Sequence, residues 1–111
     1  MTRRRLATLF VLIACCAATV AAQQGRKPVT HTVTIDGTAF KPAALTIKAG
    51  DSVLWVNKDI VSHTATSTAP KVFESGTLDT GKSWKMTFKT KGDFPYSCRF
   101  HPTMKASLKI E

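Results

Sequence analysis

"GDFPYSCRFHPTMKASLKIE", residues 92–111, is two alternating runs joined by a short loop. In the first run Phe94, Tyr96 and Cys98 share one face; in the second Leu108 and Ile110 turn inward. Apolar residues at a period of two mark half-buried strands. Pro95 lacks an N–H and is awkward inside a central ladder, so the strand is expected to begin at Tyr96 or to carry Pro95 at an edge or bulge. The loop holds Cys98, His101 and Met104, each three residues from the next.

The same alternation extends upstream. In "KSWKMTFKTKG" (82–92), Trp84, Met86 and Phe88 face one way, and Lys85, Thr87 and Lys89 the other. "SVLWVNK" (52–58) is more continuously apolar, as a central strand would be. "ALTIKAG" (44–50) and "HTVTIDG" (31–37) alternate again, and "HTATST" (63–68) is β-branched and polar. Gly, Pro and Asp punctuate these runs, and no window shows helical spacing. The pattern predicts an all-β sandwich of seven or so short strands. Residues 67–81 are the expected site of a crossing loop or a short helical turn.

The chain has 111 residues and three cysteines. "MTRRRLATLFVLIACCAATVAAQQG" (1–25) has a basic start, an apolar centre and small residues after it, the pattern of a secretory signal peptide. Val20 and Ala22 suit its cleavage site, giving a signal peptide over 1–22 and one domain over 23–111. Two alternatives are an uncleaved membrane anchor and a lipid anchor on Cys15, because "LIAC" (12–15) resembles a lipobox. Cleavage at Ala22 removes Arg3, Arg4 and Arg5 and lowers the formal net charge from +9 to +6. It also removes Cys15 and Cys16. The mature domain then keeps Cys98 alone, so no internal disulfide holds it, and the lone thiol needs burial, a metal or catalysis to explain it.

A thiolate, an imidazole and a thioether are soft to borderline ligands, a set that selects copper over magnesium, calcium or manganese. A fourth donor must come from elsewhere. His63 directly follows the strongest buried run, at a sandwich end, whereas His31 is read on the polar phase of the first strand as a solvated histidine. Two histidines and a cysteine in a plane, with a weak axial methionine, describe a blue-copper electron-transfer site.

"DSVLWVNKDIVSHT" (51–64) and "GDFPYSCRFHPTMKASLKIE" together resemble the cupredoxin family, and within it the amicyanin group, from about Phe40 to Glu111. The resemblance implies a Greek-key β-sandwich of about eight strands with one type 1 copper at one end. It implies His63, Cys98, His101 and Met104 as ligands. It also implies that Asn57 ties the two ligand-bearing loops together, with its backbone N–H toward the cysteine sulfur. One departure stands out: Phe100 occupies the position before the second histidine where amicyanin-type chains carry proline. Phenylalanine has an N–H that proline lacks, so a Phe100 N–H···S bond to Cys98 is expected, and with it a lower midpoint potential for Phe100→Pro.

The expected function is that of an exported, periplasmic one-electron carrier, monomeric and without a membrane span once processed. Its partner would meet His101 through an apolar patch of Ile60, Val61, Leu78, Phe100 and Pro102. Arg99 and Lys105 flank that patch and would steer an acidic redox partner. Nucleic acid is not an expected partner, because the lysines alternate along strands with no stacking aromatics between them. Two other functions remain open on the sequence: copper binding or delivery without a redox partner, and an enzyme with Cys98 as nucleophile and His101 as base.

Overall fold

A computed structural model describes residues 25–69 and 71–111. The proposed signal peptide and Cys15 lie outside the described residues. Eight strands form: β1 (Thr30–Asp36), β2 (Ala39–Lys41), β3 (Ala44–Ile47), β4 (Ser52–Asn57), β5 (Thr66–Ser67), β6 (Ser83–Thr87), β7 (Gly92–Ser97) and β8 (Lys105–Ile110). One sheet has the order β2-β1-β4-β6 and the other β3-β8-β7-β5. Among the described residues there is no helix.

The two sheets bury the faces that the alternation predicts. Val33 and Ile35 of β1, Val53 and Trp55 of β4, Phe94 and Tyr96 of β7, and Leu108 and Ile110 of β8 are all buried. Trp55 is the centre of the core. Its ring lies 5.4 Å from those of Phe73 and Trp84, 5.7 Å from Tyr96 and 6.2 Å from Phe88. An aromatic buried this completely typically contributes about 3–5 kcal/mol against alanine.

Two pairings run parallel, β1 with β4 and β3 with β8, so both sheets are mixed. A period-two pattern carries no strand direction, which is why the sequence did not show this. Pro95 sits inside β7 opposite Ser107, so the strand starts earlier than Tyr96. Its carbonyl accepts the N–H of Thr68, just past the end of β5. Its nitrogen points to that same side, where no strand continues, so the missing N–H leaves no ladder bond broken. Residues 68–69 and 71–81 form an irregular connection, tied to the rest by isolated bridges of His63 with Leu78 and Thr66 with Glu74.

Parallel pairing of β1 with β4 brings Asp36 and Asn57, the two strand ends, to one pole. The end of β7 meets the start of β8 through Ser97 and Lys105 at the foot of the histidine-bearing loop. The opposite pole gathers the start of β4 and the end of β6, where Ser52 pairs with Thr87.

Candidate metal centre

Two loops build the site. The first leaves β4 at Asn57 and delivers His63. The second leaves β7 at Ser97 and carries Cys98, His101 and Met104 into β8. Tight backbone bonds fix the second loop: His101 N–H to Cys98 C=O (3.3 Å), Met104 N–H to His101 C=O (2.9 Å) and Cys98 N–H to Met104 C=O (3.2 Å). The period-two phase of β7 sends Cys98 inward, after Phe94 and Tyr96.

His63, Cys98 and His101 converge, with one donor atom from each lying within 4.8 Å of the others. Cys98 Sγ stands 3.7 Å from Nδ1 of His63 and 3.7 Å from Nδ1 of His101. That is the spacing of donors about 2.0–2.3 Å from a shared ion at roughly trigonal angles, so the residues fit a bound metal. The two imidazoles lie 4.9 Å apart, centre to centre. His63 and Cys98 have no exposed surface, Met104 is buried in the hydrophobic core that also holds Cys98, and His101 is half-buried. The thiolate, two nitrogens and absence of carboxylate from this trio suit copper.

The surroundings correct several sequence expectations. Asn57 does brace the site, but through its side chain: Nδ2 donates to the carbonyls of Val61 (2.8 Å) and Leu78 (2.7 Å). It therefore ties the His63 loop to the 76–80 segment, and its own N–H goes to Lys82 C=O (2.9 Å) rather than to sulfur. Among the described residues the backbone N–H on Cys98 Sγ is that of Thr64, at 3.3 Å. Among the described residues Phe100 makes no such bond. Thr64 Oγ1 also accepts the Arg99 N–H at 2.9 Å, so Thr64 is what links the two ligand-bearing loops. Sequence reasoning missed it; its position directly after His63 was the only signal.

Asp59 was missed too. It is buried, and its Oδ2 lies 2.9 Å from His63 Nε2 and accepts the Thr38 N–H at 2.8 Å. Those contacts, Thr38 first and then His63, hold its carboxyl below the usual carboxylate range against the opposing effect of burial. Four-residue spacing from His63 was the available hint. Burial pushes the Tyr96 hydroxyl, two residues before Cys98, up to about 12, so it stays neutral beside the site.

The patch around His101 is only partly as expected. Ile60 (91 % exposed), Val61 (42 %), Phe100 (50 %) and Pro102 are open to solvent, flanking the two ligand loops. Leu78 is not: it is 4 % exposed, held inward by its antiparallel bridge to His63. Arg99 lies 3.6 Å from Glu74 and is half-exposed, and Lys105 is exposed. His31 is also corrected. It is two residues from Val33 and so shares the inward face, where its Nε2 meets the buried Asp51 at 2.9 Å.

The chain matches the cupredoxin-like domain family over residues 5–110. It is 26 % identical over 83 residues to amicyanin of Paracoccus versutus, covering 71 % of this chain and 63 % of that one. It is 29 % identical over 76 residues to amicyanin-alpha of Methylorubrum extorquens, covering 65 % and 64 %. The chain thus spans just under two thirds of the length of these relatives. The fold is similar to a purple cupredoxin from Nitrosopumilus maritimus, with a TM-score of 0.69, 28 % identity and coverage of 73 % of this chain and 99 % of that one. It is also similar to part of a copper-containing nitrite reductase from Thermus scotoductus, with a TM-score of 0.72, 28 % identity and coverage of 78 % and 23 %. A two-sheet sandwich with a buried cysteine between two histidines at one pole, matched along nearly its whole length, makes this chain a member of the cupredoxin family, whose copper here is a single type 1 ion.

Proposed function

We propose that the protein is an exported, periplasmic carrier of single electrons, in which His63, Cys98 and His101 would be the strong copper ligands and Met104 a weak fourth one. The observation that carries this reading is the convergence of the three donor atoms within 4.8 Å, in a frame already fixed by hydrogen bonds. A bound copper would supply the Cu(II)/Cu(I) couple. The chain's own residues hold the donors still: Thr64 N–H on Sγ, Asp59 on His63, and the backbone turns of the Cys98 loop. Donors that do not rearrange keep the barrier to electron transfer low.

Cys98 has no exposed surface, so a substrate has no path to its sulfur, which disfavours a nucleophilic enzyme. Half-buried His101 is the edge through which a partner would exchange electrons. The apolar rim of Ile60, Val61, Phe100 and Pro102 suits a small, transient contact, below about 1,200 Å² in total. Arg99 and Lys105 favour an acidic partner, with an association rate that falls as salt rises. No helix among the described residues is long and apolar enough to cross a membrane.

The test is copper titration of the purified chain. One equivalent of Cu(II) is expected to give intense visible thiolate-to-copper absorption that reduction bleaches reversibly, and Cys98→Ser is expected to lose it. Pale, loosely held copper would favour a delivery protein instead.

A further inference from the structure

The net charge of the described residues lies away from the metal centre. At the metal pole Lys58, Lys82, Arg99 and Lys105 are balanced in number by Asp36, Asp59, Glu74 and Asp79. The far pole is where the first described residues, the 48–51 turn, the 88–92 turn and the end of β8 meet. Gly50 N–H donates to Phe88 C=O (2.7 Å), Ala49 N–H to Glu111 C=O (2.8 Å) and Ser52 N–H to Val29 C=O (3.0 Å).

Three cations of this pole are already answered. Arg26 meets Asp51 at 2.8 Å, Lys48 meets Glu111 at 3.0 Å, and Lys109 stands opposite Asp93 across β7 and β8. Lys27, Lys89 and Lys91 are exposed and make no ion pair among the described residues. Two exposed aliphatic side chains lie beside them: Val29 is two residues from Lys27, and Val72 shares a surface depression with Lys89. Among the described residues the one large aromatic side chain that is exposed, Phe100, belongs to the metal pole.

We propose that the far pole docks on an anionic phospholipid surface and leaves the metal pole turned toward solution. Lysines on long stems, with small aliphatic side chains between them, suit a layer of phosphate headgroups, where each lysine adds about fivefold to affinity. A protein partner is the poorer fit, because protein interfaces are depleted in lysine and centre on aromatic or arginine anchors. A second observation is independent of charge. Asp51 holds both the Arg26 guanidinium and the Val29 N–H at this pole, so residues 1–24, with their apolar run over 6–22, connect to the domain at the same face. Either alternative to cleavage, a membrane anchor or a lipid on Cys15, would bring this face to the bilayer, and the processed domain keeps the lysines. Electron exchange through His101 would then be with partners on the solution side.

The test is co-sedimentation of the exported protein with phosphatidylcholine vesicles, with and without phosphatidylglycerol, at low salt. Amide NMR on anionic bicelles whose lipid carries a Gd(III) chelate reads the orientation. Binding is expected to need phosphatidylglycerol and to weaken as salt rises. It is expected to fall about tenfold or more in Lys89→Gln/Lys91→Gln, and to stay within about twofold in Lys58→Gln/Lys82→Gln. Amides of 26–29 and 88–92 are expected to broaden before those of 98–104. Equal affinity of the processed chain for neutral vesicles, equal losses in the two double variants, or broadening greatest around His63 and His101 overturns the proposal. So does binding to soluble polyglutamate alone, which would assign the pole to an acidic protein. If a retained N-terminal segment holds the protein on both kinds of vesicle, the broadening pattern and its loss in Lys89→Gln/Lys91→Gln decide. Copper absorption tests the electron-carrier reading separately, so the failure of one is distinct from the failure of the other.

Discussion

Asp51 and Asp59 bracket β4, one immediately before it and one two residues after, and the two make a natural experiment. Both are buried, and both place an oxygen 2.9 Å from the Nε2 of a histidine. At the far pole Asp51 also takes the Arg26 guanidinium (2.8 Å) and the N–H groups of Val29 (2.9 Å) and Lys48 (3.2 Å). It staples the start of the domain to the turn before β4. At the metal pole Asp59 meets no Lys or Arg side chain among the described residues; its other donors there are backbone N–H groups. The difference lies in what the histidine's second nitrogen faces. His31 sits at the rim with a side chain 27 % exposed, whereas His63 is wholly buried with Nδ1 toward a thiol. The same carboxylate–imidazole contact thus occurs once at a partly exposed ring of the far pole and once at a buried ring whose other nitrogen faces the Cys98 sulfur.

The largest contrast should come from removing each histidine. His63→Ala is expected to abolish tight copper binding and the thiolate absorption, while His31→Ala leaves both intact and lowers only thermal stability. Equal copper spectra from the two variants would break the comparison.

Asp51→Asn should give the largest fall in Tm among the substitutions that leave the ligands intact, because it strands Arg26 and two N–H groups beside a weaker acceptor. Arg26, against the cost of burial, holds the Asp51 carboxyl well below the usual range. Its stabilisation is therefore complete above the unfolded-state value of about 4 and is lost as pH falls below it. Acid denaturation curves of the wild type and Asp51→Asn should run apart above about pH 5 and approach each other below about pH 4. Curves that stay parallel down to acid would remove Asp51 as the staple.

Thr64→Val is a smaller step. It keeps the backbone N–H on Sγ but removes the acceptor for Arg99 N–H, an unsatisfied donor that costs about 1–3 kcal/mol. Chemical denaturation of the metal-free variant would measure this, and a loss below about 0.5 kcal/mol would show that water replaces the hydroxyl. The smallest effect belongs to Phe100→Pro. With no Phe100 N–H on sulfur, cyclic voltammetry should find the midpoint potential unchanged; a clear drop would restore the bond that the sequence comparison suggested.

Much of this molecule was legible because its signals are local. Alternation placed Trp84 and Met86 on one side of β6 and Cys98 in phase with Tyr96, and side-chain direction in a strand follows parity alone. The loop of Cys98, His101 and Met104 spans seven residues, so its chemistry could be read as a unit. Leu78 was misplaced for the complementary reason: an apolar residue in an irregular segment has no period to say which way it points.

The sequence by itself determined the two-sheet class, the inward cysteine and the soft character of the donors, since each depends on residues within a few positions of one another. Tertiary structure alone decided which pole each buried aspartate serves, that Thr64 rather than Asn57 or Phe100 touches the sulfur, and that β1 and β4 run side by side in one direction. Those contacts join groups about 20–35 residues apart in the chain, and only the closing of the two sheets on each other brings them within hydrogen-bonding reach.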